Sequence, residues 1–165
     1  MPGKLSAPRE RPTARVVLLD ARDRILLMKG RLPGHPDRDG AWFTVGGGVE
    51  PGETFIETAA REIREETGIA DAVLGPVVWT RQGVLNIPEP RLFREWYVLA
   101  RCSGAEPHRG GWTALERDLI DDIRWWTLAE LLVTSDRVFP PGLARLLPPL
   151  LAGELPAEPI AIPWD

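Results

Sequence analysis

The sequence has a single cysteine, Cys102, in 165 residues. An intrachain disulfide framework is thereby excluded, and a reducing compartment, the cytoplasm, is the simplest expectation. Apolar runs are short, and none approaches the ~18 residues that a membrane span needs. Residues 1–15 are polar, with Lys4, Arg9, Arg11 and Arg15, and lack the apolar segment of a secretory signal. Basic excess is missing too: 20 Lys and Arg stand against 24 Asp and Glu, a net charge of −4. That argues against a nucleic-acid backbone as partner. A chain that is 44% hydrophobic and 27% charged is not wholesale disordered, and its length suits one domain with its own core.

What the chain does have is one concentrated patch of acid. Between residues 47 and 69 lie Glu50, Glu53, Glu57, Glu62, Glu65 and Glu66, with Arg61 and Arg64, so this segment carries the whole net charge. Thr54 and Glu57 have capping-box spacing and Gly68 supplies a stop, which predicts a helix between them. At about 100° per residue, Phe55, Ile56, Ala59, Ala60 and Ile63 form an apolar stripe. Glu62, Glu65 and Glu66 share a face along its border, with Glu66 at the edge of the core. Glu57–Arg61 and Arg61–Glu65 read as an ordinary solvated surface, whereas the like-charged pair Glu62–Glu66 costs roughly 0.2–0.5 kcal/mol on one. Helix geometry alone leaves a solvated face and a divalent-cation site both open. Oxygen ligands would favour Mg²⁺ or Mn²⁺ over Zn²⁺. Gly46, Gly47 and Gly48, at a strand end, let backbone approach a ligand or serve a tight turn.

Around that helix, residues 14–19 and 25–28 read as strands of a hairpin. Residues 30–40 read as a loop carrying Arg31, His35 and Arg38. Strands are expected over 42–45, 73–80 and 92–101, a short helix over 113–122, and a strand end at 124–126. A helix over 128–133 is opened by Thr127 and Glu130, and a last one over 143–151 is broken by Pro148 and Pro149. Seven of the 17 prolines fall in 139–165, which reads as an irregular wrap. The interleaving predicts an α/β layered domain over 13–152, a flexible arm at 1–12 and a Pro-rich tail at 153–165. Most of the seven tryptophans read as core; Trp112, in a polar loop, is the candidate for stacking on a base. Arg31 and Arg38 are the candidates for phosphate contact.

Gly47, Glu53, Arg61, Glu62, Ile63, Glu65, Glu66, Gly68 and Ile69 stand at the spacing of the Nudix box, and every defined position matches. The segment resembles that family. The resemblance implies an α/β/α sandwich with a mixed β-sheet and a loop-helix-loop catalytic motif. It implies divalent-metal-dependent hydrolysis of a diphosphate bond in a nucleoside diphosphate linked to another moiety. Glu62 and Glu66 would be the main ligands of Mg²⁺ or Mn²⁺, Glu65 a ligand or the base for the attacking water, and Gly46 a carbonyl ligand. Arg61 would orient the box carboxylates and Glu53 would tie the loop to the helix. Many relatives use a further carboxylate, for which Glu116, Asp118, Asp121 and Asp122 are candidates; Glu116 also has capping-box spacing with Thr113. Glu95 is an outside candidate, read first as exposed strand polarity. The implied substrate is a small nucleotide-derived molecule, and a homodimer is a common family arrangement. Two other readings remain: a catalytically silent nucleotide- or partner-binding module, and an isoprenoid diphosphate isomerase, for which Cys102 is poorly placed.

Overall fold

A computed structural model describes residues 7–31, 40–86 and 89–165. Its centre is a mixed seven-stranded sheet of β1 (Arg9–Leu19), β2 (Ile25–Gly30), β3 (Ala41–Gly48), β4 (Val73–Asn86), β5 (Pro90–Arg101), β6 (Ile120–Trp126) and β7 (Ile160–Ala161). The spatial order is β6-β2-β3-β1-β5-β4-β7. β1–β5 and β4–β7 are parallel, and the other pairs are antiparallel. Both faces are covered, which explains why Val16-Val17-Leu18-Leu19 is apolar without alternation. Val16 and Leu18 pack with Ala59 and Ile63 of α1 (Phe55–Thr67), while Val17 and Leu19 pack with Leu143, Leu147 and Leu150 of α4 (Leu143–Leu151). The result is the α/β/α sandwich. Among the described residues, no helix is long and apolar enough to cross a membrane.

Five local expectations are corrected. β1 begins at Arg9 and pairs along β5 from Arg9↔Arg91 onward, so residues 9–12, expected in a flexible arm, are part of the sheet. The short helix expected over 113–122 is α2 (Ala114–Leu119) alone, and Asp121 and Asp122 lie in β6. Pairing with β2, where Lys29 stands opposite Asp122, pulls that segment into the sheet. α4 runs through Pro148 and Pro149. Leu143, Leu147 and Leu150 recur on one buried face, and the Arg101 guanidinium donates to the Leu150 carbonyl, so core packing outweighs the missing N–H donors. Tail residues 160–161 form β7 on β4.

The fifth correction concerns α1. Thr54 caps it by accepting the Glu57 N–H, and Gly68 ends it in the left-handed region at φ 69°. Its buried residues are Thr58, Ala59, Glu62, Ile63, Glu66 and Thr67, whereas Ile56 is 48% exposed. The helix is therefore rolled away from its most apolar orientation, so that two glutamates face β3. Phe55 is accommodated by stacking on Trp96, with ring centroids 4.1 Å apart.

Candidate active site

The glycines at the end of β3 admit the glutamates of α1. A Cβ on Gly47 would lie 2.3 Å from Glu62 Oε1, so the carboxylate occupies the space that any side chain there would fill. The Gly46 N–H donates to Glu66 Oε2 at 3.2 Å. Gly46 has φ 152°, and a Cβ on it would meet the Ala14 carbonyl oxygen at 2.2 Å. Backbone on one side and helix on the other thus enclose Glu62 and Glu66, each 9% exposed.

Arg61 organises the acids around this pair. Its Nε donates to Glu53 Oε2 at 2.9 Å, its Nη2 to Glu53 Oε1 and to the Gly48 carbonyl, and its Nη1 to Glu62 Oε1 at 2.9 Å. Glu65 is held more loosely, 3.3 Å from Nη1, with its side chain 52% exposed. Glu53 also accepts the Glu50 N–H and the Thr58 hydroxyl, which joins the loop to the helix. Arg61, then the Glu50 N–H, hold the Glu53 carboxyl down at about 2.

The buried pair behaves oppositely. Burial first, and the neighbouring Glu62 charge second, raise Glu66 well above the ordinary carboxyl value; burial also raises Glu62. Among the described residues, Glu62 accepts from the Arg61 guanidinium and Glu66 from the Gly46 N–H, and the Arg15 charge acts on Glu66 without a hydrogen bond to it. A hard divalent cation fits that donor set, since it takes carboxylate and backbone oxygens. Glu65 is not drawn into the pair: among the described residues, no three His, Cys, Asp or Glu side chains converge on one point. The expectation of three crowded acids is thus corrected to two buried together and one at the rim, since Glu65 is exposed and only loosely tied to Arg61.

Glu62 and Arg61 form part of the wall of a cleft of about 590 Å³ whose other wall is the start of β1 and β5. Arg9, Arg11 and Arg91 line it opposite Glu50, and none of the three has an ion pair among the described residues. The Arg11 guanidinium lies over Gly48. The expected arm over 1–12 hid Arg9 and Arg11, and Arg91 falls just before the strand expected over 92–101, which begins at Pro90. The i, i+2 spacing of Arg9 and Arg11, one face of a strand, was the available signal.

The other expected site residues lie elsewhere. Trp112 is corrected: it is 6% exposed, packs in the core beneath α1, and donates its indole N–H to the Glu66 carbonyl, so no ring face is offered to a base. Glu116 completes a capping box with Thr113 on α2, as its spacing predicts. Arg31 donates to the Asp118 carbonyl and pairs with Asp121 at 3.5 Å, beside α2. Arg38 and His35 lie outside the described residues. Glu95 is also corrected: it is buried, in contact with Arg81 and Tyr97.

Comparison with known proteins agrees with the box. The family model for the NUDIX domain matches residues 9–148. An uncharacterised Nudix hydrolase of Yersinia pestis is 32% identical over 112 residues, covering 68% of this chain and 54% of the relative. The uncharacterised Nudix hydrolase YfcD of Salmonella typhi is 30% identical over 136 residues, covering 79% and 65%. The chain therefore spans between about half and two thirds of the length of these curated relatives. Among solved structures, the E. coli ORF135 protein superposes with a TM-score of 0.62 at 22% identity, covering 94% of this chain and 100% of that one. On the box, the sandwich that presents it and a family match across most of its length, the chain belongs to the Nudix hydrolase family.

Proposed function

We propose that the protein hydrolyses a diphosphate bond in a nucleoside diphosphate linked to another moiety, with Mg²⁺ or Mn²⁺ as cofactor. One observation carries the reading: α1 buries two carboxylates where packing alone would bury Ile56, and β3 gives up a side chain to admit them. Glu62 and Glu66 would hold the cation, joined by the Gly46 carbonyl. The cation, when bound, supplies charge neutralisation for the diphosphate oxygens and lowers the pKa of water.

The chain's own residues do the rest. Arg61 and Glu53 lock the loop against the helix, so the carboxylates are oriented before substrate arrives. Arg9, Arg11 and Arg91 line the cleft as donors to phosphate oxygens. Glu65, exposed and loosely tied, is the group we assign to accept the proton of the attacking water. Glu116 keeps its capping role and is the candidate for a further ligand outside the box. Composition supports a cytoplasmic setting and a small-molecule substrate; a homodimer would match the family habit.

The test is product release across a panel of nucleoside diphosphate derivatives and triphosphates, with Mg²⁺ and with Mn²⁺. Turnover that Glu66→Gln and Glu65→Gln abolish is the expected result. Tight nucleotide binding without turnover of any compound would overturn it and identify a silent binding module.

A further inference from the structure

The cleft beside Glu62 holds more positive charge than one metal-bound diphosphate can engage, and the sheet explains where that charge lies. β3 ends at Gly48, opposite Thr13, and the Val49 N–H donates to the Pro12 carbonyl at 3.0 Å. Beyond that bond, β1 pairs with β5 alone, so its other flank is open and forms the cleft. Arg9 and Arg11 are two residues apart on one strand and leave it on the same face. Parallel register sets Arg91 beside Arg9, on that face too.

The three cations are graded in distance from the buried acids. Arg11 reaches back, with Nη2 3.4 Å from where a Cβ of Gly48 would stand, beside the carbonyl that Arg61 holds. Arg9 and Arg91 start about 7 Å further along the strands, at 3.3 Å per residue. Gly46, which meets Glu66, stands opposite Arg15, six residues before which lies Arg9, about 20 Å along the strand. A diphosphate held at Glu62 and Glu66 thus has Arg11 at its side and leaves Arg9 and Arg91 beyond its end. The acids of the cleft do not absorb them: Glu10 pairs with Arg94 at 3.2 Å, and Glu50 lies 3.8 Å from Arg61. Among the described residues lining its 590 Å³ there is no aromatic ring, so the outer cleft offers a base no face to stack on.

We propose that Arg9 and Arg91 form a subsite for a further phosphate group of the substrate, carried by the moiety attached to the nucleoside diphosphate and outside the bond that is cut. Two neighbouring guanidiniums match the oxygens of a terminal phosphate in number and geometry. The attached moiety is then anionic and non-aromatic, its phosphate either an ester on a sugar or the end of a longer phosphate chain. Assigning that phosphate to the substrate rests on the diphosphate-hydrolase reading; phosphate binding at Arg9 and Arg91 does not.

Calorimetry on the full chain carrying Glu65→Gln, with Mg²⁺, tests it, using inorganic pyrophosphate, inorganic triphosphate and 5-phosphoribosyl diphosphate as probes. Expected is binding of at least one of the last two tenfold or more tighter than of pyrophosphate. Triphosphate as the better ligand identifies a phosphate chain, and the phosphoribosyl compound a separate ester. Arg9→Gln with Arg91→Gln removes that preference and leaves pyrophosphate affinity nearly unchanged, whereas Arg11→Gln weakens all the probes about fivefold. Arg9→Gln alone, at an exposed position, supplies the comparison should the double variant fail to show cooperative thermal unfolding, and lowers the preference about fivefold. Equal affinity for the three probes, a preference that survives in the folded variants, or a loss of pyrophosphate binding as large as that of the longer probes overturns the proposal. The preference with no hydrolysis of any nucleoside diphosphate derivative by the unsubstituted chain would sink the proposed activity and leave this subsite standing.

Discussion

Glu62 occupies the place of a side chain that Gly47 does not have: Oε1 lies 2.3 Å from where a Cβ would stand. The atoms in the way are the far end of a flexible side chain, so alanine at 47 is accommodated by swinging the carboxylate out. Gly47→Ala should keep the fold, with a change in Tm of a few degrees at most, and lose at least tenfold in kcat/KM. Gly46→Ala should behave differently. There the obstacles are the Ala14 carbonyl oxygen at 2.2 Å and the Arg15 Cα at 2.8 Å, at φ 152°. Backbone strain of about 1–3 kcal/mol adds to the clash, and thermal unfolding should drop before activity is considered.

The buried Glu62–Glu66 pair sets how stability responds to pH and to metal. An acid whose pKa is raised on folding holds its proton more tightly in the folded state. Its contribution is complete below the unfolded value near 4.5 and is lost as pH climbs through the raised folded value. The metal-free protein should therefore lose stability as pH rises from 4.5 through the raised folded values of the pair. Glu53, held at about 2, acts with the opposite sign, and its contribution fades only as pH falls from 4.5 towards 2. Glu66→Gln should flatten the upper limb in EDTA and leave the acid limb intact. Saturating Mn²⁺ at about 100 times its Kd adds about 2.7 kcal/mol, roughly 5–10 °C for a chain of this size, and Glu66→Gln should abolish that increment. A variant that still responds to Mn²⁺ in full would remove Glu66 from the metal site.

Spacing made the loop-helix-loop and its roles legible, because Gly47, Glu53, Arg61, Glu62, Glu65 and Glu66 are fixed by local geometry. Capping residues at Thr54, Thr113 and Thr127 were equally readable, since each cap closes within four residues. What escaped was long-range. The roll of α1 follows from Gly47, fifteen positions before Glu62, and the helix's own apolar stripe points elsewhere. Arg9 and Arg11 became legible only once β5 gave their strand a partner. Trp164 needed both β7 and the gap at Gly83 to show its place. The burial of Trp112 depends on the loop that folds it under α1, which local polarity disguised.

Arg9 and Arg11 line the cleft exposed to solvent and Arg91 half-buried, so each charged hydrogen bond to phosphate is screened. About 1 kcal/mol apiece converts to roughly fivefold in KM. Arg11→Ala should raise KM by that factor with kcat nearly unchanged, and Arg11→Ala with Arg91→Ala more steeply. The effect should shrink as salt is raised, which distinguishes an electrostatic rim from a packing role. An unchanged KM at low salt would show that phosphate is held elsewhere.

Trp112 offers a contrast between positioning and recognition. Its indole N–H is donated to the carbonyl of Glu66, the penultimate residue of α1, and its ring fills the core beneath that helix. Trp112→Phe keeps most of the packing and deletes that donor, at a cost of about 1–3 kcal/mol because the buried carbonyl loses a partner. The consequence should be a lower Tm and a lower kcat as Glu66 loosens, with nucleotide affinity maintained. Trp112→Ala, which also opens a cavity, should cost about 3–5 kcal/mol. Were Trp112 instead a stacking platform, Trp112→Phe would preserve stability and weaken nucleotide binding; calorimetry and thermal unfolding on the one variant separate the two roles.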